Sequence, residues 1–112
     1  MVDDHAGFRA GARRVLEADG LEVVAEAGDA RGACVEAARW LPDVVVLDVQ
    51  LPDRSGFDIV EELTALGIAV VLISTRAIED HADRLASCSA SGFLGKDVLS
   101  GDAVRALVAS QQ

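Results

Sequence analysis

The sequence is poor in basic residues, and this shortage limits the kinds of partner that it can bind. Ten lysines and arginines stand against 19 aspartates and glutamates, which gives a formal net charge of −9 over 112 residues. Nucleic acids and anionic membrane surfaces both attract a basic protein face. We therefore expect no direct nucleic acid binding by this chain and no membrane partner.

Cysteines and long apolar runs are scarce as well. Cys34 and Cys88 lie far apart and show no metal-binding spacing, a pattern typical of reduced thiols in a cytosolic protein. No apolar run approaches the roughly 18 residues that a membrane span needs. The first residues also lack the basic and apolar segments of a secretory signal. The expected location is the cytoplasm.

The chain does contain a regular alternation of helix-like and strand-like segments, which we interpret as one domain over residues 1–112. Two segments, "DVVVLDV" and "IAVVLIS", are continuous apolar runs typical of strands buried on both faces of a parallel sheet. The pattern predicts an α/β fold with helices on both faces of a parallel sheet. Strands are predicted at 21–27, 43–49, 68–74 and 91–95, and helices at 6–19, 30–40, 58–66, 79–86 and after Ser100.

Polar side chains follow the ends of the predicted strands. Asp48 follows "VVVL", Ser74 follows "VVLI", and Lys96, the only lysine of the chain, follows the last strand. Asp3 and Asp4 precede the first helix, where a preceding strand would bring them to the same edge. Ligands bind at the carboxyl ends of the strands in open parallel sheets. We expect these five residues to form one site there.

This set of side chains suits phosphoryl transfer. A carboxylate can accept a phosphoryl group to give an acyl phosphate. Three aspartates and one lysine sum to a charge of −2, so a divalent cation would bring the site to about zero. Mg²⁺ commonly binds one or two carboxylates together with phosphate oxygens. The lysine and the hydroxyl would then bind the remaining phosphate oxygens.

Four segments, "VDD", "VVVLDVQLPDRSGFD", "VVLIST" and "SGFLGK", are spread over residues 2–96 and so over most of the chain. In their order and spacing the chain resembles the receiver domains of response regulators, the phosphoproteins of bacterial two-component signalling. The resemblance implies a flavodoxin-like, doubly wound parallel sheet with strand order 2-1-3-4-5. It implies no enzymatic activity beyond self-phosphorylation and self-dephosphorylation at Asp48.

The resemblance also assigns a role to each residue of the site. Asp48 would accept the phosphoryl group from a sensor histidine kinase or a small phosphodonor, and Ser74 and Lys96 would bind phosphoryl oxygens. The Mg²⁺ ligands would be Asp3, Asp4, Asp48 and the backbone carbonyl of Gln50.

A conformational switch is implied as well. Ser74 would move toward the phosphate while Phe93 turns inward, which repacks the face formed by the fourth helix, the fifth strand and the fifth helix. That face would bind a downstream protein, or an output domain that this sequence does not include. Such a switch is a local charge event that biases a two-state element.

Two residues near the site depart from the family pattern. Asp97 stands where a proline usually follows the lysine, so the expected cis peptide is in doubt and Asp97 would compete for Lys96. Thr75 stands where a smaller residue is usual, and it would narrow access to the phosphoryl group. His5 and His81 are expected to be solvent-exposed and without a role.

Two alternative functions stay open at this point. The departures near Ser74 and Lys96 leave open a receiver-like module that binds a partner without being phosphorylated. A phosphohydrolase with an aspartate nucleophile is less favoured, because Gln50 stands where such enzymes carry a second aspartate.

A third departure concerns the first strand, of which only Met1 and Val2 are present. Burial of about four apolar side chains there would contribute roughly 6–12 kcal/mol, which is comparable with the net stability of about 5–15 kcal/mol of an average domain. We expect that the natural chain begins upstream, or that a partner strand fills the gap by exchange within a homodimer. Asp3 and Asp4 are therefore the least securely positioned residues of the site.

Overall fold

The computed structural model describes residues 1–109, in which helices pack around a parallel sheet. The predicted α/β fold is confirmed. The strands are β1 (Val44–Asp48), β2 (Ala69–Ser74) and β3 (Gly92–Gly95). The helices are α1 (Ala6–Ala18), α2 (Ala30–Trp40), α3 (Val60–Ala65), α4 (Ala82–Ala86) and α5 (Gly101–Ala109). Short 3₁₀ turns span Gly56–Ile59, Ile78–His81 and Lys96–Val98.

The three strands run parallel in the order β1-β2-β3. Val70, Val71, Leu72 and Ile73 of β2 have no exposed surface, so this strand is buried on both faces. The continuous apolar run of β2 reflects this burial, since a strand that faced water on one side would alternate in polarity.

The helices cover both faces of the sheet. On one face, Val45 and Leu47 of β1 pack in a cluster with apolar residues of α2 and α3. On the other face, Val46 of β1 packs in a cluster with Leu16 of α1 and Val104 of α5. Successive residues of β1 thus face opposite layers, as the pleat of a strand requires. The doubly wound arrangement follows from this alternation.

The strand predicted at residues 21–27 is not formed. Only Ala27 pairs, in an isolated parallel bridge with Val2, and Val2 also bridges to Leu47 of β1. Val2 therefore lies between Ala27 and β1, where the resemblance places the first strand. The prediction of a strand at 21–27 is wrong because a ladder needs a neighbour along its whole length, and in this chain the neighbour is a two-residue stub.

A groove of about 460 Å³ lies between residues 21–27 and β1. We call it the N-terminal groove. Apolar side chains form much of its lining, among them Leu16, Leu21, Val23, Val44 and Val46. The groove begins at Met1 and continues the line of the stub.

The stub itself is firmly held on both sides. Val2 N donates to Val46 O at 2.8 Å, and Asp48 N donates to Val2 O at 2.9 Å. On the other side, Ala27 N donates to Met1 O and Asp3 N donates to Ala27 O, both at 3.1 Å. The backbone of Asp3 is therefore fixed at the carboxyl edge of the sheet in spite of the short strand.

At the other end of the described chain, Ser100 caps α5 as predicted, because its Oγ accepts a hydrogen bond from Ala103 N at 3.0 Å. The expectation about an output domain stays a prediction, and the last three residues of the sequence, 110–112, lie outside the described residues. Within residues 1–109, no helix combines the length and the apolar character needed to cross a bilayer.

Candidate functional site

The residues predicted from strand ends come together at the carboxyl edge of the sheet. Asp3 follows the stub, Asp48 ends β1, Ser74 ends β2 and Lys96 follows β3. Lys96 Nζ lies 2.5 Å from Asp3 Oδ2 and 3.0 Å from Asp48 Oδ2. A single ammonium group thus joins two carboxylates from different loops, so Asp3, Asp48 and Lys96 are in direct contact.

These charges are buried. Asp3 has no exposed surface, Asp48 is 3% exposed, and the Lys96 side chain is 13% exposed. A buried charge is strongly destabilising unless it is paired. The Lys96 ammonium is stabilised by its ion pairs with Asp3 and Asp48. It also makes a cation–π contact with Phe8, because Nζ lies 4.6 Å from the centre of that ring.

The remaining carboxylate oxygens have backbone partners at the same edge. Asp48 Oδ1 accepts from Gln50 N at 3.0 Å, and Asp3 Oδ1 accepts from His5 N at 2.8 Å. Among residues 1–109, Asp3 Oδ2 forms the ion pair with Lys96 and no aligned hydrogen bond. This oxygen is therefore a buried acceptor with unused capacity.

The three groups perturb one another's protonation. Burial raises the pKa of Asp48 above its ordinary value, although the Gln50 N–H and Lys96 oppose the effect. Burial acts in the same direction on Asp3, but Lys96 and the His5 N–H outweigh it and hold the pKa of Asp3 below its ordinary value. Burial would lower the pKa of Lys96, yet Asp3 and Asp48 raise it. The site therefore favours the charged forms of Lys96 and Asp3, whereas burial works against the charged form of Asp48.

The cluster has the composition of a cation site. One possible ligand atom from each of Asp3, Asp4 and His5 lies within 4.8 Å of the others. Adding Asp48 and Lys96 gives three negative charges and one positive charge, a net −2. Together with the unused capacity of Asp3 Oδ2, this set fits a hard divalent cation that prefers oxygen ligands. The part of the Gln50 carbonyl in such a site stays a prediction.

His5 lies at the rim of this cluster. Its side chain is 75% exposed, as expected, and Nδ1 lies 3.0 Å from Asp4 Oδ1. Asp4 is more exposed than Asp3, since 37% of its side chain is accessible.

Two residues of the loop after β1 fix the position of that loop, Gly56 against the Asp48–Val49 backbone and Asp53 against the start of α2, and neither was predicted from the sequence to have a role. Gly56 N donates to Val49 O at 2.7 Å, and a Cβ at position 56 would collide with the backbone oxygen of Asp48. Asp53 accepts from Ala30 N at 2.9 Å and from Arg31 N at 3.1 Å, which are free N–H groups at the start of α2. For the contact of Gly56 with the Asp48 backbone, the only sequence signal was the presence of a glycine in a short loop.

Arg9 was also missed. Its Nη1 donates to the backbone oxygen of Asp3 at 2.5 Å, and its Nε lies 3.4 Å from Glu26 Oε1. Arg9 thereby ties the backbone of Asp3 to Glu26 in the segment before α2. This contact helps to position the acidic pair, which follows a stub of only two residues. An arginine among polar residues of an amphipathic helix gives no sequence signal for such a role.

Ser74 lies at the same edge but faces a different set of partners. Its side chain is almost fully buried, and its Oγ accepts from Arg76 N at 3.0 Å and lies 3.3 Å from His81 Nε2. The His81 ring contacts Phe57 and Phe93, with ring centres 5.7 and 5.6 Å apart. The expectation that His81 is freely solvated is wrong, because its ring packs against these two aromatic side chains.

The expectations about the departures have a mixed outcome. Lys96 pairs with Asp3 and Asp48, and within residues 1–109 it forms no ion pair with Asp97, so the expected competition is absent. The Lys96–Asp97 peptide bond is trans, since no described peptide bond is cis. Thr75 is exposed, and its effect on access stays untested.

Comparison with known proteins gives one consistent result. The family model of the response regulator receiver domain matches residues 1–108. The nitrate/nitrite response regulator protein NarP of Escherichia coli is 39% identical over 100 residues, which cover 87% of this chain and 46% of NarP. The activator DevR/DosR of Mycobacterium tuberculosis is 37% identical over 111 residues, which cover 96% of this chain and 51% of that protein. The chain thus spans about half the length of these curated relatives.

Among solved structures, the signal receiver domain of the response regulator NarL from Mycobacterium tuberculosis superposes with a TM-score of 0.86 at 31% identity. The match covers 96% of this chain and 92% of that chain.

Proposed function

Because this chain belongs to the response regulator receiver domain family, we propose that it is a signalling switch in which Asp48 accepts a phosphoryl group. The family consists of two-component signalling proteins rather than conventional enzymes. The contact of Lys96 Nζ with both Asp3 Oδ2 and Asp48 Oδ2 carries the proposal. It joins an acceptor carboxylate, a second carboxylate for a metal and a cation for phosphoryl oxygens within one buried cluster.

The chemical step is transfer of a phosphoryl group to a carboxylate oxygen of Asp48. The donor is a phosphohistidine of a sensor kinase or a small phosphodonor such as acetyl phosphate. A bond forms between the Asp48 oxygen and phosphorus while the donor's phosphorus–nitrogen or phosphorus–oxygen bond breaks, and its electron pair stays with the donor. The product is an acyl phosphate.

The residues around Asp48 stabilise the charge that arrives. Mg²⁺ held by Asp3, Asp4, Asp48 and the Gln50 carbonyl would neutralise phosphoryl charge. Lys96 exchanges one of its two carboxylate contacts for a contact with a phosphoryl oxygen.

The output of the switch follows from Ser74 and Phe93. Ser74 turns from its present partners to a phosphoryl oxygen, and Phe93 turns inward. Both changes act on the face of α4, β3 and α5, which binds a downstream protein or an output domain of the same regulator. This function belongs in the cytoplasm, where the chain would meet its kinase.

An intact-mass measurement tests this function. The protein is incubated with acetyl phosphate and Mg²⁺, with Asp48→Asn as the matched variant and with EDTA as the metal-free control. A gain of one phosphoryl mass that requires Mg²⁺ and is lost in Asp48→Asn supports the switch. Repeated release of inorganic phosphate from acetyl phosphate by each protein molecule would instead support a phosphohydrolase. No gain in the folded wild-type protein would overturn the proposal and favour a module that binds its partner without phosphorylation.

A further inference from the structure

We propose that His81 is a positioning residue that holds the Ser74 hydroxyl away from Asp48 in the resting protein. The inference rests on the proposed function, since it concerns how the resting state opposes the switch. It depends on three observations: the hydrogen-bond partners of Ser74, the ring contacts of His81, and the place of His81 in the chain.

The hydrogen-bond partners of Ser74 determine where its proton points. A hydroxyl has one hydrogen to donate and two lone pairs that accept. Arg76 N–H donates to Oγ, so it uses a lone pair. The Ser74 side chain is almost fully buried, and a buried hydroxyl proton needs an acceptor. His81 Nε2, at 3.3 Å, is the neighbouring group that supplies one.

This assignment makes two interactions of Ser74 mutually exclusive. If the O–H donates to His81 Nε2, the same hydrogen is not free for a phosphoryl oxygen on Asp48. Capture of Ser74 by the phosphoryl group therefore breaks the contact with His81. It follows that His81 in the resting protein is the neutral tautomer with its proton on Nδ1.

The ring contacts of His81 connect this event to Phe93. The imidazole packs at 5.6 Å from the Phe93 ring with a tilt of 48°, and at 5.7 Å from the Phe57 ring with a tilt of 54°. Phe57 is 6% exposed and belongs to the core, so it is the fixed side of this arrangement. Ser74 and Phe93 thus both contact one imidazole, and release of one contact changes the surroundings of the other.

His81 is also well placed to pass the change onward. It is the last residue of the 3₁₀ turn Ile78–His81 and directly precedes α4. A shift of its ring therefore acts at the start of a helix of the output face.

The first experiment needs no phosphorylation. The ¹⁵N shifts of the imidazole nitrogens are measured in the wild-type protein and in Ser74→Ala. We expect His81 to carry its proton on Nδ1 in the wild type and to gain the Nε2-protonated form in the variant. His5, the other histidine of the chain, is the internal control and should not change. Identical His81 shifts in both proteins would overturn the inference.

The second experiment measures the rate of phosphorylation by acetyl phosphate. His81→Phe keeps an aromatic ring but removes the nitrogen acceptor, and we expect a rate about fivefold higher, the factor for loss of one neutral hydrogen bond. His81→Gln, which keeps an acceptor, should lie closer to the wild type. In a Ser74→Ala background, His81→Phe should have no further effect. Val35→Ala, on an exposed part of α2, is the surface control.

The outcomes separate the inference from the proposed function. If the wild-type protein takes up no phosphoryl group, the proposed function fails while the tautomer measurement still tests the contact. If the wild type is phosphorylated but folded His81→Phe reacts at the wild-type rate, the inference fails and the proposed function stands.

Discussion

Lys96 Nζ lies 2.5 Å from Oδ2 of Asp3, a carboxylate with no exposed surface, in a contact that ties the loop after β3 to the N-terminal stub. The same ammonium lies 3.0 Å from Asp48 Oδ2. In the metal-free protein Lys96 is therefore the main cation that compensates two buried carboxylates, and its removal should reveal how the site depends on charge.

We predict that Lys96→Met lowers the free energy of unfolding by roughly 3–5 kcal/mol in metal-free buffer, because removing one partner leaves buried charge uncompensated. Mg²⁺ should restore more stability in this variant than it adds to the wild type. Urea denaturation with EDTA and with Mg²⁺ measures both effects. Lys96→Arg, which keeps the charge, is the matched control. A Lys96→Met protein as stable as the wild type without metal would contradict this role of Lys96.

Gly56 offers a test of how the loop after β1 supports the site. A methyl group at this position would collide with the backbone oxygen of Asp48 and approach Val49 Cα to 3.1 Å. We predict that Gly56→Ala lowers the free energy of unfolding by roughly 1–3 kcal/mol and weakens Mg²⁺ binding, because the Asp48 backbone must move. Calorimetric titration with Mg²⁺ and urea denaturation measure the two effects.

A second glycine provides the control for Gly56→Ala. Gly11 lies inside α1, and a Cβ there would meet no atom within 4 Å. Gly11→Ala should therefore stabilise the protein, by up to about 1 kcal/mol. If both substitutions have the same effect, the special contact of Gly56 with Asp48 is refuted.

How far the sequence predicts this fold depends on whether the signal is local. The strands β1 and β2 were predictable because a strand that is buried on both faces has a continuous apolar run. This signal is the same whichever elements cover the strand. The segment at 21–27 has similar composition but forms no strand, since strand formation needs hydrogen bonds to a neighbour. Composition reports what a segment would bury, and it does not report whether a partner is present.

The same distinction applies to the site. The positions of Asp48 and Lys96 were predictable, because the carboxyl ends of parallel strands meet at one edge of the sheet whatever the details of packing. The contacts of Arg9 and His81 were not predictable, because each is a tertiary contact of a side chain that is usually solvent-exposed. Arg9 binds a backbone oxygen of Asp3, and His81 packs against two aromatic rings.

Cys34 gives a prediction of pH dependence. Burial, together with the nearby Glu62 carboxylate at 2.7 Å from Sγ, raises the pKa of the Cys34 thiol from 9.0 to about 12. Above pH 9.0 the unfolded chain loses this proton while the folded protein keeps it, so the folded state binds more protons and stability falls as pH rises. The stabilising contribution is complete below pH 9.0 and disappears toward pH 12.

Urea denaturation between pH 8 and pH 11 measures this effect as a difference between the wild type and Cys34→Ala. We expect the advantage of the wild type to shrink through the alkaline part of this range. Cys88→Ala, the variant of the other cysteine, serves as the control. A constant difference between the wild type and Cys34→Ala would mean that the Cys34 thiol has no raised pKa.

The N-terminal groove leads to the last prediction. The amino group of Met1 donates to Ala25 O at 3.2 Å, and burial lowers the pKa of this amino group. A chain that continued before Met1 would enter the groove between residues 21–25 and β1 with the parallel pairing that Val2 already has. Four added apolar residues would bury side chains worth roughly 1.5–3 kcal/mol each, against an ordering cost of about 1–2 kcal/mol per residue.

We therefore predict that an extension of four β-branched residues before Met1 raises the free energy of unfolding by roughly 2–4 kcal/mol. A glycine-serine extension of equal length is the control, because it adds chain without side chains to bury. Urea denaturation measures the gain, and hydrogen exchange at residues 21–26 shows whether a ladder has formed there. Sedimentation of the unextended chain adds the oligomeric state: a dimer that the apolar extension converts to monomer would mean that a partner's segment fills the groove. Equal stability of the two extended proteins would show that the groove does not accept a strand.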